Sequence, residues 1–147
     1  MDSILEDQSI IRGFGILYRT FVKYMSKSIG TEDISFSDSI FLVNIGEKEG
    51  TSQDEIATAL AIDKAAVARS VKNLTQRGYV LARQSPYDKR AKELYLSRKG
   101  NDLFHDVMKL HETWLKSVLA GSSPGEIHDF AQMIDDISTR AKDTVLK

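Results

Sequence analysis

Asp63-Lys64-Ala65-Ala66-Val67-Ala68-Arg69-Ser70-Val71-Lys72-Asn73-Leu74-Thr75-Gln76-Arg77-Gly78 decides the fold. Asp63 is a residue type whose carboxylate accepts the orphan amides of a helix's first turn. Val67, Val71 and Leu74 then recur at spacings of four and three, one inward stripe of a helix. The opposite face carries Lys64, Ala65, Ala68, Arg69 and Lys72. Gly78 is a natural stop. The stretch reads as a short helix whose outer face is small and cationic.

Upstream lies Thr51-Ser52-Gln53-Asp54-Glu55-Ile56-Ala57. Ser52 and Glu55 have capping-box spacing, which predicts another short helix with Ile56, Leu60 and Ile62 buried. Downstream the period changes. Tyr79–Arg83 is strand-like, and Ala91–Leu96 alternates polar and apolar toward its end. The polar turn Gln84-Ser85-Pro86-Tyr87-Asp88-Lys89-Arg90 joins them.

Two short helices followed by a hairpin make a winged helix-turn-helix. In that geometry the second helix enters the major groove of DNA and the first braces it across the backbone. The candidate contacts are Ser52 and Gln53 on the first helix, and Lys64, Ala65, Ala66, Ala68, Arg69, Lys72 and Arg77 on or beside the second. Small residues let the backbone approach the bases, and Arg or Lys reaches phosphate or guanine. Lys89 and Arg90 at the hairpin tip are placed for a neighbouring minor groove. Asp88 would repel phosphate, so it is expected to pair with a nearby Arg and shape the turn.

Charge follows the same division. The 147-residue chain has a net charge of -1, yet Asp63–Lys99 holds ten Lys/Arg against three acids, a net +7. The remainder holds ten basic and eighteen acidic residues, a net -8. A basic middle in an acidic shell suits a surface that faces phosphate.

The flanks are long amphipathic helices. Ile10, Phe14, Leu17, Phe21 and Met25 form one stripe, ending near Gly30 as a C′ residue. Ser37 or Ser35 caps a helix containing Ile40, Phe41, Val43 and Ile45. Ser97 caps another with Leu103, Val107, Leu110, Trp114 and Val118; Ser123 caps a last one with Ile127, Phe130, Ile134, Ile137, Ala141 and Val145. The expected fold class is therefore mainly α with a small β-hairpin wing, one domain over 1–147. Its reading lobe spans about 36–98, and helices of about 3–30 and 100–146 have apolar stripes that two-fold pairing would bury.

Fifty residues from Thr51 to Gly100 resemble the MarR family of transcriptional regulators. The resemblance rests on the two helix stretches quoted above, on Leu74–Val80, and on Asp88-Lys89-Arg90-Ala91-Lys92 running on to Leu96-Ser97-Arg98-Lys99-Gly100. The Asp-x-Arg wing with its Ser-x-x-Gly helix start is the most specific part. The resemblance implies a homodimer with interleaved chain ends, a palindromic operator, and usually repression relieved by a small-molecule ligand. It also implies a cleft for small aromatic acids between the dimer helices and the reading lobe; Arg12, Tyr18, Arg19, Tyr24, His111 and Trp114 lie on the helices that would line it. This chain departs from the family where Ala65, Ala66 and Ala68 stand at positions that often carry Ser or Thr. Alanine offers a methyl to thymine but no hydrogen bond.

Other classes find little support. There is no Gly-rich phosphate loop, Gly-x-Ser-x-Gly or His-Glu-x-x-His, so an enzyme is not expected. No cofactor is implied. Cys is absent, which removes thiol redox sensing, and His105, His111 and His128 lack ligand spacing, so no metal is expected. No apolar run spans a membrane, and the acidic start lacks the basic region of a signal peptide; a cytoplasmic location is expected. The rival reading is a winged-helix protein-interaction module without DNA binding.

Overall fold

The computed structural model describes residues 2–30 and 33–145. Its elements run α1 (Asp2–Glu6), α2 (Ser9–Ser28), α3 (Phe36–Glu47), α4 (Gln53–Leu60), α5 (Lys64–Gln76), β1 (Val80–Gln84), β2 (Lys92–Leu96), α6 (Arg98–Val118) and α7 (Pro124–Val145).

Serine and aspartate caps set most of the helix starts. Ser35, rather than Ser37, opens α3 through a full capping box with Asp38. Ser52 Oγ accepts from the Glu55 amide at 3.2 Å, and Asp63 Oδ1 from the Ala66 amide at 2.8 Å. The Glu55 carboxylate does not return the bond; it takes Lys48 Nζ at 3.0 Å and the Thr51 hydroxyl at 3.3 Å. Ser97 and Ser123 cap α6 and α7 as expected.

The first long helix is not continuous. Asp7 Oδ1 accepts from the Ser9 amide at 2.9 Å and starts α2 afresh, so the span expected as one helix over about 3–30 is two. Gly30 is not a left-handed C′ residue; among the described glycines, positive φ occurs at Gly50, Gly78 and Gly121. Position 146 of the last expected helix lies outside the described residues, as does the side chain of Val145.

β1 and β2 pair antiparallel, with Val80 opposite Leu96 and Gln84 opposite Lys92. The hairpin is also stitched to the approach to α4. The Gly50 amide donates to the Leu94 carbonyl, and the Leu94 amide to that of Thr51, both at 2.8 Å. The core gathers Leu42 and Ile45 of α3, Ile56 of α4, Val67, Val71 and Leu74 of α5, and Val80 and Leu94 of the hairpin. Met25 of α2 and Val107 of α6 close it. Leu60 and Ile62, expected in the core, are only half-buried at its rim.

Gly100 shows how tightly α6 joins this core. A Cβ there would lie 2.0 Å from the Tyr79 carbonyl oxygen. The long helices behave differently at their far ends. Ile10, Phe14 and Leu17 of α2, Leu115 and Val118 of α6, and Phe130 and Ile134 of α7 are all exposed.

Candidate nucleic-acid interface

The start of α4, the outer face of α5 and the hairpin meet on one side of the core. Ser52 and Gln53 border a cleft of about 580 Å³ whose far wall is Asp88, Arg90 and Lys92. Gln53 and Lys92 also border a second, smaller cleft of about 210 Å³ with Ala68, Lys72 and Gln76 of α5. Three sequence-separated segments thus share one surface, where Lys72, Arg90 and Lys92 stand with Asp54 and Asp88.

On α5, Lys64, Ala65, Ala68, Arg69 and Lys72 are exposed, and Ala66 is half-buried. Lys64 Nζ lies 3.4 Å from Asp54 Oδ1 across the helix-turn-helix. Both ends of that pair are well exposed, so it is weak and exchangeable.

The wing turn is built from backbone-directed side chains. Gln84 Nε2 donates to the carbonyls of Asp88 and Ala91, both at 3.1 Å. Ser85 Oγ accepts from the amides of Tyr87 and Asp88. Asp88 Oδ1 accepts from the Arg90 amide at 2.9 Å. The expected ion pair between Asp88 and an Arg side chain is therefore not formed. The carboxylate is consumed by the turn's own backbone, a local bond that needs no long side chain to be immobilised. The Lys89 and Arg90 side chains remain exposed at the tip, next to Tyr87, which is 96% exposed. The Arg83 guanidinium lies over the Tyr95 ring, 4.7 Å from its centroid.

Arg77 stands apart from these clefts. Its guanidinium lies 3.4 Å from Asp33 and 3.1 Å from the Asn73 side-chain oxygen. The Tyr79 hydroxyl donates to the same Asp33 carboxylate. That bond, reinforced by Lys99 and Arg77, holds the Asp33 carboxyl below its ordinary range.

The residues expected to line a ligand cleft do not share one cavity. Tyr18 borders a crevice of about 370 Å³ with Phe36, Ile40, Ala66 and Arg69. Trp114 and His111 instead pack on Phe21, with ring centroids 4.9 and 5.4 Å away. Burial pushes the His111 imidazole below its ordinary pKa, against an opposing pull from Glu47. Arg12 and Arg19 are exposed on α2, and the Arg19 guanidinium folds back toward Gly15 of its own helix.

Lys92 borders both clefts and was not among the residues expected there. The hint was its place at the first polar position of the alternating β2 segment, on the reader-helix side.

Known proteins resemble this chain in sequence and in fold. The sequence profile described as "MarR family" matches residues 32–91. The HTH-type transcriptional regulator BilQ of Clostridium symbiosum is 34% identical over 105 residues, covering 71% of this chain and 73% of that protein. The chain belongs to the MarR family of transcriptional regulators. BilQ of Clostridioides difficile is 24% identical over 130 residues, 86% of this chain and 88% of its own. A putative MarR-family regulator of Listeria monocytogenes, solved with a 26mer DNA, superposes with a TM-score of 0.89. It is 24% identical and covers 95% of this chain and 93% of its own. Streptococcus pneumoniae FabT, solved in complex with DNA, superposes at 0.78 with 19% identity over 93% and 98% of the two chains. These structures share the winged-helix fold of this MarR-family chain. The profile match ends in the wing turn at residue 91 and takes in every residue named at the two clefts except Lys92. Among the described residues no helix is long and apolar enough to cross a membrane.

Proposed function

We propose that this MarR-family chain is a cytoplasmic homodimer that binds a palindromic duplex and represses transcription until a small aromatic acid releases it. The observation that carries the reading is the convergence of Gln53, Lys72, Arg90 and Lys92 around two adjoining clefts of one surface. α5 is the reader. Ala65 and Ala68 allow close approach to bases, while Arg69 and Lys72 reach guanine or phosphate. Ser52 and Gln53 take phosphates beside it, and Lys89 and Arg90 enter the flanking minor groove. Lys64 joins them by exchanging its exposed Asp54 partner for phosphate. Arg77 contributes at the rim through its bond to Asp33, by fixing the end of the reader. The DNA complexes of the Listeria regulator and FabT support this assignment by fold.

The reading lobe is residues 36–98. The long helices flanking it form the dimer, because their exposed apolar side chains have no cover within one protomer. For the effector, the crevice between α2 and α5 offers the Tyr18 and Phe36 rings beside Arg69. A carboxylate that takes the Arg69 guanidinium there withdraws it from DNA.

Selection from a random duplex library tests the reading. The expected yield is a two-fold symmetric site with half-sites about 10 base pairs apart. Charge reversal at Arg69 and Arg90 together should abolish retention of that site; unchanged retention would favour a protein-interaction module. Titration of the complex with aromatic carboxylates tests release, and no shift in affinity with any of them would remove the effector.

A further inference from the structure

α7 has two faces. Phe130, Ile134, Ile137 and Ala141 form the apolar one; Asp135, Ser138, Thr139 and Lys142, at the same helical spacing, form a polar one. The polar face turns toward this chain's own α4. It borders a cleft of about 610 Å³ whose other wall is Ala59, Leu60 and Ala61. Among the described side chains of α7 none is fully buried, yet Lys142 is half-buried, like Ile127 and Ile137 on the same helix.

Its partner explains that burial. Lys142 Nζ donates to the Ala59 carbonyl at 3.2 Å. Among the described residues, this is the only hydrogen bond between α7 and the segment from 36 to 98. It lands on a sensitive place. The last four carbonyls of a helix lack intrahelical partners, and the end of the dipole there favours a cation. α4 ends on Ala61, a non-glycine residue at φ 54, and the amides of both Ala61 and Ile62 converge on the single Ala57 carbonyl. That leaves the Ala59 carbonyl to Lys142. The strained turn after it leads directly into Asp63, the cap of α5.

We infer that Lys142 is a positioning residue, a strut from the C-terminal helix to the end of α4 that fixes the angle of the reading lobe and hence the half-site spacing of the operator. This rests on the proposed DNA reading by paired lobes. α4 is eight residues long, about 12 Å at 1.5 Å per residue. Its far end carries Ser52 and Gln53 at the DNA-facing cleft. A tilt at the Lys142 end is therefore delivered to the contact surface.

The test compares wild type with Lys142→Met, which keeps the apolar stem, and Lys142→Arg, which keeps the donor. Affinity is measured on the selected palindrome, on versions with the half-sites moved by one and two base pairs, and on a single half-site. Lys142→Met should lose roughly three- to fivefold on the selected spacing, the scale of one ordinary hydrogen bond at the surface. It should also discriminate less between spacings, stay dimeric, and match wild type on the single half-site. Lys142→Arg should restore the spacing preference. Amide exchange at residues 57–62 should quicken in Lys142→Met only. Unchanged spacing preference overturns the inference, and so does an equal loss on single half-site and palindrome. A wild-type chain that selects no duplex sinks the DNA reading and the spacing role together, and the exchange comparison then shows separately whether the strut itself exists.

Discussion

Arg90 and Asp88 sit two positions apart in the wing and do opposite things. Asp88 spends its carboxylate on the Arg90 amide, which leaves the Arg90 guanidinium exposed on a turn of fixed shape. Arg90→Ala should therefore weaken duplex binding across sequences and lower the salt slope by about one phosphate unit. Anisotropy titrations at several salt concentrations read both, and full affinity with an unchanged slope would remove Arg90 from the interface. Asp88→Ala should weaken binding too, by loosening the turn, although it removes a negative charge. Among the described glycines, Gly100 has the least room for a side chain. With the Tyr79 carbonyl oxygen 2.0 Å from where a Cβ would sit, Gly100→Ala must move backbone at the start of α6. The expected cost is about 1–3 kcal/mol, as for other overpacked sites, and denaturant unfolding measures it. A variant as stable as wild type would mean that this junction yields easily.

Local signals made the helix-turn-helix and wing readable from the residues. Asp63 and Ser97 had cap chemistry at the right offsets, and Val67, Val71 and Leu74 had one periodicity with no competitor. What escaped reading depended on contacts distant in sequence. Nothing adjacent to Arg77 announces Asp33, forty-four residues away. Nor does any motif place Tyr18 beside Arg69 while Trp114 and His111 go to Phe21. No Gly or Pro marks the break at Asp7; the polar run Glu6-Asp7-Gln8-Ser9 interrupts the apolar pattern there, and a side-chain bond from the Ser9 amide to Asp7 starts the next helix.

The packing of α6 on α2 makes a pH-dependent joint between these elements. His111 of α6 is half-buried against Phe21 of α2, and desolvation favours its neutral form, with Glu47 of α3 pulling the other way. The folded pKa lies below the ordinary 6.5. The folded state therefore binds this proton less readily than the unfolded chain. Its contribution is fully present above pH 6.5 and is lost as the pH falls through the folded value. His111→Gln should flatten the fall in melting temperature between pH 7.5 and 5 relative to wild type. Parallel curves for the two proteins would show that the imidazole stays hydrated in the fold.

At the scale of the whole molecule, one protomer leaves its largest apolar stripes uncovered. Ile10, Ile11, Phe14 and Leu17 on α2 and Phe130, Met133 and Ile134 on α7 are each more than a third exposed. A cleft of about 870 Å³ between α6 and α7, lined by Met108, Leu115, Leu119 and Ile127, adds to them. Burying such side chains is worth roughly 25 cal/mol per Å², so water is a poor final neighbour for a surface of this size. The amino-acid pattern shows that these stripes are apolar but not which chain covers them; in the proposed homodimer a second copy related by a two-fold axis covers them. The pair Phe14→Glu and Ile134→Glu places charge on both helices without touching the core around Leu42, Ile56 and Leu74. Sedimentation should then report a folded single subunit where wild type is a dimer. Affinity for the palindrome should fall to that for one half-site, because the second lobe no longer arrives with the first. If the double variant keeps its dimer, or if the single subunit holds the palindrome as tightly as the pair does, the long helices serve some purpose other than presenting two readers to one duplex.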